Sequence, residues 1–174
     1  PYTTLFRSMA LAKEWMRKDP FYGYKMAQDE TDPVFLTYPE LKSIMEKEFT
    51  IPRLALVRDI FVFAAFTGLA FANVSTLTKD NLVQDNNGDW WIRKGRVKLE
   101  RRHRASSVCN IPLLPVPLAI LKKYEEHPIC QKKSLCLPVI CNQRMNSYLK
   151  EIADLCNIRK NLTTHTAKHS KIYI

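Results

Sequence analysis

The sequence predicts an α+β domain that is mainly helical and carries one small three-stranded antiparallel sheet. Apolar residues recur at helical spacing before residue 78 and again after residue 116. Between these regions the pattern changes to short runs of β-favouring residues, with a turn signal between the first two runs. The chain has 174 residues, of which 46% are hydrophobic and 10% aromatic, and this suits one folded domain with at most a fragment of another.

The N-terminal residues are predicted to lie outside this domain. Residues 1–8, "PYTTLFRS", fit no pattern that follows and resemble translated adaptor sequence from sequencing reads, so they are interpreted as a non-native leader. Met9–Lys18 has a short helical pattern with two apolar residues four positions apart. The residues up to 34 mix Pro, Gly and charged residues without a period, which predicts a linker. The main domain is therefore predicted to span residues 35–174.

Three helices are predicted in the first part of the domain. Thr37 followed by Glu40 is a capping box, which marks a helix start. Leu54–Phe66 is apolar almost all round, so it is predicted to be the buried central helix. Gly68 is a suitable stop for that helix, and a further short helix is predicted over Phe71–Leu77.

The sheet is predicted from three β-favouring runs, Leu82–Val83, Trp90–Ile92 and Val108–Ile111. The sequence "NNGD" at residues 86–89 separates the first two runs. Asn and Gly accept positive φ, so this sequence predicts a hairpin turn. Because hairpins join antiparallel strands, the three runs are expected to form one antiparallel sheet.

Helical spacing resumes after the sheet. Pro117–Glu126 places apolar residues on one face, and a longer helix is predicted from about Asn142 to Cys156. The last helix is predicted to begin at Thr163 or Thr164, because Thr is a favoured capping residue.

The charge balance points to a polyanionic partner. Lys and Arg number 27 and Asp and Glu number 17, which gives a formal net charge of +10. Such a charge favours nucleic acid or an anionic membrane face. Membrane insertion is not expected, since the longest apolar run, Ile60–Ala72, is shorter than the roughly 20 residues of a membrane span. The five cysteines form no C-x-x-C pair and are predicted to be free thiols in a reducing cytoplasm.

A dense basic segment follows the second predicted strand. Seven basic residues lie within twelve positions: Arg93, Lys94, Arg96, Lys98, Arg101, Arg102 and Arg104. These side chains cannot all face a core, so they form either an ordinary solvated face or a ribbon that contacts phosphates. Guanidinium and ammonium groups neutralise backbone phosphates and release counterions, which is the basis of the second interpretation.

A second cluster lies in the last predicted helix. His165, Lys168 and His169 are three and four residues apart, so a helix places them on one side. An anion site is the favoured interpretation, because the first turn of a helix adds N–H donors. A metal site is not expected, since the sequence lacks the glutamate of H-E-x-x-H and Lys168 would repel a cation. Surface histidines without a role are the remaining alternative.

Five segments occur in the order in which one known family has them. They are "FTGLAFANVSTLTKDNL", "IRKGRVKLE", "IPLLP", "NQRMNSYLKEIADLCNI" and "NLTTHTAKHS". Together they resemble the catalytic domain of the tyrosine recombinases, the phage-integrase family, and especially the integrases of Bacteroides-type mobile elements. The resemblance covers residues 35–170, and Met9–Lys18 resembles the last helix of the preceding core-binding domain.

The resemblance implies site-specific recombination and integration of double-stranded DNA without metal or other cofactor. In the family, a tyrosine hydroxyl attacks the scissile phosphate and forms a phosphotyrosyl intermediate, while two arginines, a hairpin lysine and histidines stabilise charge and move protons. The hairpin lysine corresponds to Lys98 and the histidine of H-x-x-R to His165. The basic segment and His169 are then expected to contact DNA. Self-association on DNA and a bacterial cytoplasmic location are implied for the full-length protein.

The sequence departs from the family pattern at several positions. Ala70 stands where the first arginine is expected, Asn73 where an acidic residue is expected, and Lys168 where the second arginine is expected. Lysine keeps the charge but loses the bidentate fork. The nucleophilic tyrosine and a further histidine are expected beyond Lys168, and Tyr173 comes too early for that role.

These departures predict a C-terminally truncated fragment that is inactive alone. Two alternatives stay open at this point. A non-catalytic DNA-binding accessory module would tolerate the loss of site residues. A basic RNA-associated protein is the other alternative, although no RNP-like aromatic pattern supports it.

Overall fold

A computed structural model describes residues 2–19, 22, 34–95 and 108–170, with side chains described from residue 6 onward. The chain divides into two compact units, Pro1–Asp32 and Pro33–Ile174, which are described separately.

The first unit contains one helix, α1 (Tyr2–Ala12), among its described residues. The helix predicted over Met9–Lys18 is therefore wrong in both bounds. The helix ends early because Glu14 adopts a left-handed conformation, with φ of 60°. The N–H of Trp15 then bonds back to the carbonyl of Ala10, which is the hydrogen bond of a Schellman stop. The predicted leader and linker boundaries of this region remain predictions.

The second unit begins with the two predicted helices. Helix α2 (Tyr38–Glu46) starts at the predicted capping box, in which the Thr37 N–H donates to Glu40 Oε2 over 2.7 Å. Helix α3 (Pro52–Thr67) is the predicted central helix, and it ends at Gly68 with φ of 66°. Glycine adopts this left-handed conformation without the cost of a Cβ clash, which explains the stop.

The sheet has the three predicted strands. A short helix α4 (Phe71–Val74) and a 3₁₀ turn (Lys79–Asn81) precede three antiparallel strands, in spatial order β1-β2-β3: β1 (Leu82–Gln84), β2 (Trp90–Gly95) and β3 (Val108–Pro112). Ile92 of β2 lies opposite Leu82 of β1 and Ile111 of β3, and Ile92 is fully buried. The predicted hairpin turn is confirmed, with Gly88 at φ of 90° and the Asn87 N–H donating to Asp85 Oδ1.

Four helices follow the sheet. They are α5 (Pro115–Tyr124), α6 (Pro128–Lys133), α7 (Asn142–Leu155) and α8 (Thr164–His169). Helices α5 and α7 confirm two predictions within two residues at each end, and α8 starts at one of the two predicted threonines. Helix α6 was not predicted. It is one turn and a half long and ends at Ser134 in a left-handed conformation, so it carries little periodic signal.

Helix α3 is the centre of the core. Helices α2, α5, α7 and α8 all pack against it. Most of its side chains are buried, including Phe61 and Phe63. The architecture is thus the predicted α+β class, a helical domain with a small antiparallel sheet.

Two compositional predictions can be compared with the structure. Within the part of the chain that the structure describes, no helix combines the length and apolar character needed to cross a membrane. The five cysteines form no disulfide with one another. Burial raises the pKa of the Cys136 thiol to about 11, so this thiol stays protonated and unreactive at neutral pH.

Candidate functional site

The helix that carries the histidine cluster, α8, starts at a well-defined cap. The Thr163 side chain accepts a hydrogen bond from the Thr166 N–H over 3.3 Å, and the Thr166 side chain accepts from the Thr163 N–H over 3.2 Å. These reciprocal bonds satisfy N–H groups that the first turn leaves open. The Thr-rich sequence before His165 therefore determines where the helix begins.

Helix α7 holds the start of α8 in place. The Thr164 N–H donates to Asn146 Oδ1 over 2.9 Å, and the Thr164 hydroxyl donates to Asn142 Oδ1 over 2.8 Å. Both asparagines lie in the first two turns of α7. The two helix starts are thus joined, which the sequence alone did not indicate.

The end of α8 is fixed by a contact between residues that are 134 positions apart in the chain. Ser170 is buried, and its hydroxyl donates to the Thr166 carbonyl over 2.8 Å. The same oxygen accepts a hydrogen bond from the Leu36 N–H over 2.8 Å. The chain segment before α2 therefore anchors α8 at its C-terminal end, as α7 does at its N-terminal end.

The inner face of α8 packs on α3 beside the loop that carries Ala70. Ala167 is fully buried. Ala167 and Thr164 line a small apolar pocket together with Phe71, the residue that follows Ala70, and with Ile60 of α3. The structure therefore brings together two sequence-predicted site regions that are almost a hundred residues apart in the chain.

The outer face of α8 presents the predicted cluster to solvent. His165, Lys168 and His169 are all exposed. The Nε2 atoms of the two histidines lie 2.9 Å apart, and their rings meet edge to face with 4.5 Å between centroids. The exposed face therefore combines two imidazoles with an ammonium group on a helix that is held at both ends.

Two residues of the predicted basic segment are described, and they differ in environment. Arg93 is exposed on β2. Lys94 is half-buried, and its Nζ donates to the Thr76 carbonyl and, over 3.1 Å, to Asn81 Oδ1. Lys94 therefore ties β2 to the chain between α4 and β1, a structural contact that the charge pattern did not reveal. The other predicted residues lie outside the described part of the chain: Arg96, Lys98, Arg101, Arg102 and Arg104.

A buried polar cluster was missed by sequence reasoning. Asp59 of α3 accepts hydrogen bonds from Arg58 Nε over 2.8 Å, from Lys123 Nζ over 2.7 Å and from the Tyr124 hydroxyl over 2.8 Å. Burial, with the adjacent Asp59 carboxylate, raises the pKa of Tyr124 well above its ordinary value. Its phenol is therefore held protonated inside the domain. The sequence signal for this cluster was Asp59, an acidic residue within the otherwise apolar helix α3.

No family model matches the chain, and no curated protein matches it either. Solved structures do match. A XerH site-specific recombinase bound to a palindromic difH substrate has a TM-score of 0.63 and 18% identity, over 85% of this chain and 43% of that one.

Two further solved structures share the fold of this chain. A lambda integrase dimer bound to a COC' core site has a TM-score of 0.67 and 13% identity, over 94% of this chain and 57% of that one. The Tn1549 transposon integrase in complex with circular intermediate DNA has a TM-score of 0.60 and 16% identity, over 94% of this chain and 60% of that one. The chain thus spans about half the length of these proteins.

The fold is therefore the one that site-specific recombinases and integrases share. At these identities the likeness establishes the fold, while activity and partners require a separate argument.

Proposed function

We propose that this chain is part of a tyrosine recombinase that breaks and rejoins DNA at specific sites through a phosphotyrosyl intermediate. The observation that carries the proposal is the exposed face of α8. By the sequence resemblance, His165 and Lys168 correspond to the family's H-x-x-R residues, and they lie on a helix that is held at both ends beside the Ala70 loop. The recombinase fold of the domain supports the same conclusion.

The chemistry of this face suits a phosphate group. The Lys168 ammonium supplies positive charge without having to be buried, and the imidazoles offer N–H donors or acceptors for proton transfer. Lysine provides a single point of charge, whereas arginine would grip two phosphate oxygens. The face is therefore proposed to hold a scissile phosphate more loosely than a site with two arginines. Lys98 is proposed to complete it as the proton donor.

We further propose that the 174-residue chain forms no covalent DNA adduct by itself. Ala70 offers no group that can contact a phosphate oxygen, and Lys168 offers only one point of charge. Tyr22 and Tyr38 are exposed, but they lie outside the helices that pack around α8, whereas Tyr124 is buried with its hydroxyl bound to Asp59. Tyr148 lies on α7 with its ring against the Arg53 guanidinium. Neither Tyr124 nor Tyr148 is placed as an available nucleophile, and the adduct assay below also covers the exposed Tyr22 and Tyr38.

A nicked suicide substrate tests both proposals. In this assay a covalent intermediate is trapped and appears as a slow protein–DNA band on a denaturing gel. The 174-residue chain is expected to give no band, and Ala70→Arg with Lys168→Arg is expected to improve DNA affinity without producing one. A chain extended with the family's C-terminal segment and its tyrosine is expected to give the band, with Tyr→Phe in that segment as the control.

Two outcomes of this assay would contradict the proposals. A band from the 174-residue chain would show that one of its own tyrosines is the nucleophile. No band from the extended chain with both arginines restored would contradict descent from an active recombinase.

The second candidate is a non-catalytic DNA-binding accessory module. Ala70 favours it, since a chain under no demand for catalysis can lose the first arginine and still bind DNA. The extended chain distinguishes the two candidates, because an accessory module binds DNA but exchanges no strands. For the first candidate, the proposed partners are double-stranded DNA and further copies of the full-length protein, in the cytoplasm of a bacterium that carries the mobile element.

A further inference from the structure

The two histidines of α8 converge on one point in space. Their Nε2 atoms face each other across 2.9 Å, and both side chains are exposed. We propose that His165 and His169 form a two-nitrogen chelate for a divalent transition-metal ion of the Ni²⁺ or Cu²⁺ class. This proposal does not depend on the proposed recombinase function, since it uses only the geometry of the two imidazoles.

The separation of the two nitrogens selects the kind of metal. A metal–imidazole bond is about 2.0–2.1 Å long, so nitrogens this close subtend an angle of about 90° at a shared ion. A right angle joins neighbouring positions of a square-planar or octahedral ion, which Ni²⁺ and Cu²⁺ prefer. A tetrahedral zinc site would require the nitrogens to lie about 3.3–3.4 Å apart. The geometry therefore favours Ni²⁺ and Cu²⁺ over Zn²⁺.

The ion would replace a proton that the pair now shares. A hydrogen bond between two Nε2 atoms needs a proton on one of them. With both rings protonated on Nδ1 instead, two lone pairs point at the same spot, and a cation can take the proton's place. The exchange requires no movement of the backbone.

The two imidazoles are the only ligands that the proposal uses. In the described ranges, no group of three or more His, Cys, Asp or Glu side chains is arranged to hold a metal. Lys168 lies on the same helix and weakens cation binding, whereas the capped and anchored ends of α8 keep the histidine spacing fixed. The expected site is specific in geometry and modest in affinity.

A nickel titration of the 174-residue chain tests the proposal. Cys141→Ser would serve as the background, because Cys141 is an exposed thiol that could bind the metal itself. Proton NMR follows the ring signals of the four histidines. Paramagnetic Ni²⁺ is expected to broaden two of them first, and His165→Gln or His169→Gln is expected to weaken binding by on the order of tenfold or more.

The matched control is His127→Gln, since His127 lies on a different helix start and accepts a hydrogen bond from Ile129. It should leave nickel affinity unchanged. Both α8 histidines are exposed, so neither substitution removes core packing. Uniform broadening of all four histidines, or wild-type affinity in either single variant, would overturn the proposal. Displacement of nickel by an equal concentration of Zn²⁺ would overturn the right-angle geometry.

Discussion

Asp59 shows how one side chain can join two helices through charge. It is buried in α3, and its carboxylate accepts hydrogen bonds from three donors. One donor is the neighbouring Arg58, and the other two are Lys123 and Tyr124 on α5. A buried charge with its partners in place adds little net stability, because desolvation offsets the attraction. Removing the charge leaves its partners without their acceptor, so substitution is costly even though the intact cluster contributes little.

Substitution of Asp59 should therefore destabilise the domain strongly. Asp59→Ala is expected to lower the free energy of unfolding by roughly 3–5 kcal/mol, since Arg58 and the Tyr124 hydroxyl lose their shared acceptor. Urea unfolding measures this change. Asp154→Ala is the matched control, because Asp154 is exposed on α7 and should change stability by no more than about 0.5 kcal/mol. Equal effects of the two substitutions would contradict a structural role for the cluster.

At the scale of elements, α8 depends on neighbours more than on its own sequence. It has six residues, too few for an isolated helix to be stable in water. Asn146 satisfies the first open N–H at its start, and Ser170 joins its end to Leu36. The position of the histidine pair and Lys168 is therefore set by α7 and by the segment before α2.

Loss of the Asn146 contact should loosen α8 selectively. Asn146→Ala leaves the half-buried Thr164 N–H without its acceptor, at a cost of about 1–3 kcal/mol. Hydrogen exchange is expected to show faster exchange of the Ser170 amide, with the amides of α3 little changed. Asn142→Ala removes only an exposed contact to the Thr164 hydroxyl and should have a smaller effect. Equal protection of the Ser170 amide in the wild type, Asn146→Ala and Asn142→Ala would mean that packing on α3 alone holds α8.

The elements that the sequence predicted well are those whose ends and turns are determined by residues close together in the chain. The stop at Gly68, the turn before Asp89 and the cap at Thr163 each depend on residues a few positions apart. The contacts that position α8 could not be predicted, because Asn146 and Leu36 meet it only through the tertiary fold. Helix α1 was misplaced since its first residues were set aside as foreign.

The candidate site was likewise predictable only where its features depend on residues close together in the sequence. Helical spacing correctly indicated that His165 and His169 share a face, but not that their ring nitrogens meet. Charge density could not distinguish Arg93 from Lys94, because only the fold brings the carbonyl of Thr76 to the Lys94 ammonium.

At the scale of the whole molecule, the net charge of +10 accompanies a fold found in recombinases and integrases. Contacts between basic side chains and DNA phosphates depend strongly on salt, since each one releases counterions. The proposed DNA contacts lie mainly in the segment after β2.

The salt dependence of DNA binding should measure how much the segment after β2 contributes to phosphate contacts. Replacing Arg96, Lys98, Arg101 and Arg102 with Ala is expected to weaken DNA binding and to lower the slope of log affinity against log salt by up to roughly 3–4. Sequence preference should change little, because phosphate contacts carry no base information. Fluorescence anisotropy over a range of salt concentrations measures both.

A charge-matched control distinguishes the loss of phosphate contacts from the loss of net positive charge as the cause of a lower salt slope. It replaces four exposed basic residues elsewhere in the domain: Lys122, Lys132, Lys133 and Arg159. This variant should keep most of the wild-type slope. Equal slopes for the two variants would mean that the segment after β2 is an ordinary solvated face.

The hydrogen bond between Leu36 and Ser170 also sets a time for folding during synthesis. These residues are 134 positions apart, so their contact can form only after the ribosome has added all the residues between them. At about 5–20 residues per second, the nascent chain waits roughly 7–27 s between the two. In the part of that interval after α3 has been made, the face of α3 that α8 covers lacks this partner. A cell that produces this domain must therefore shield an apolar helix until α8 has been synthesised.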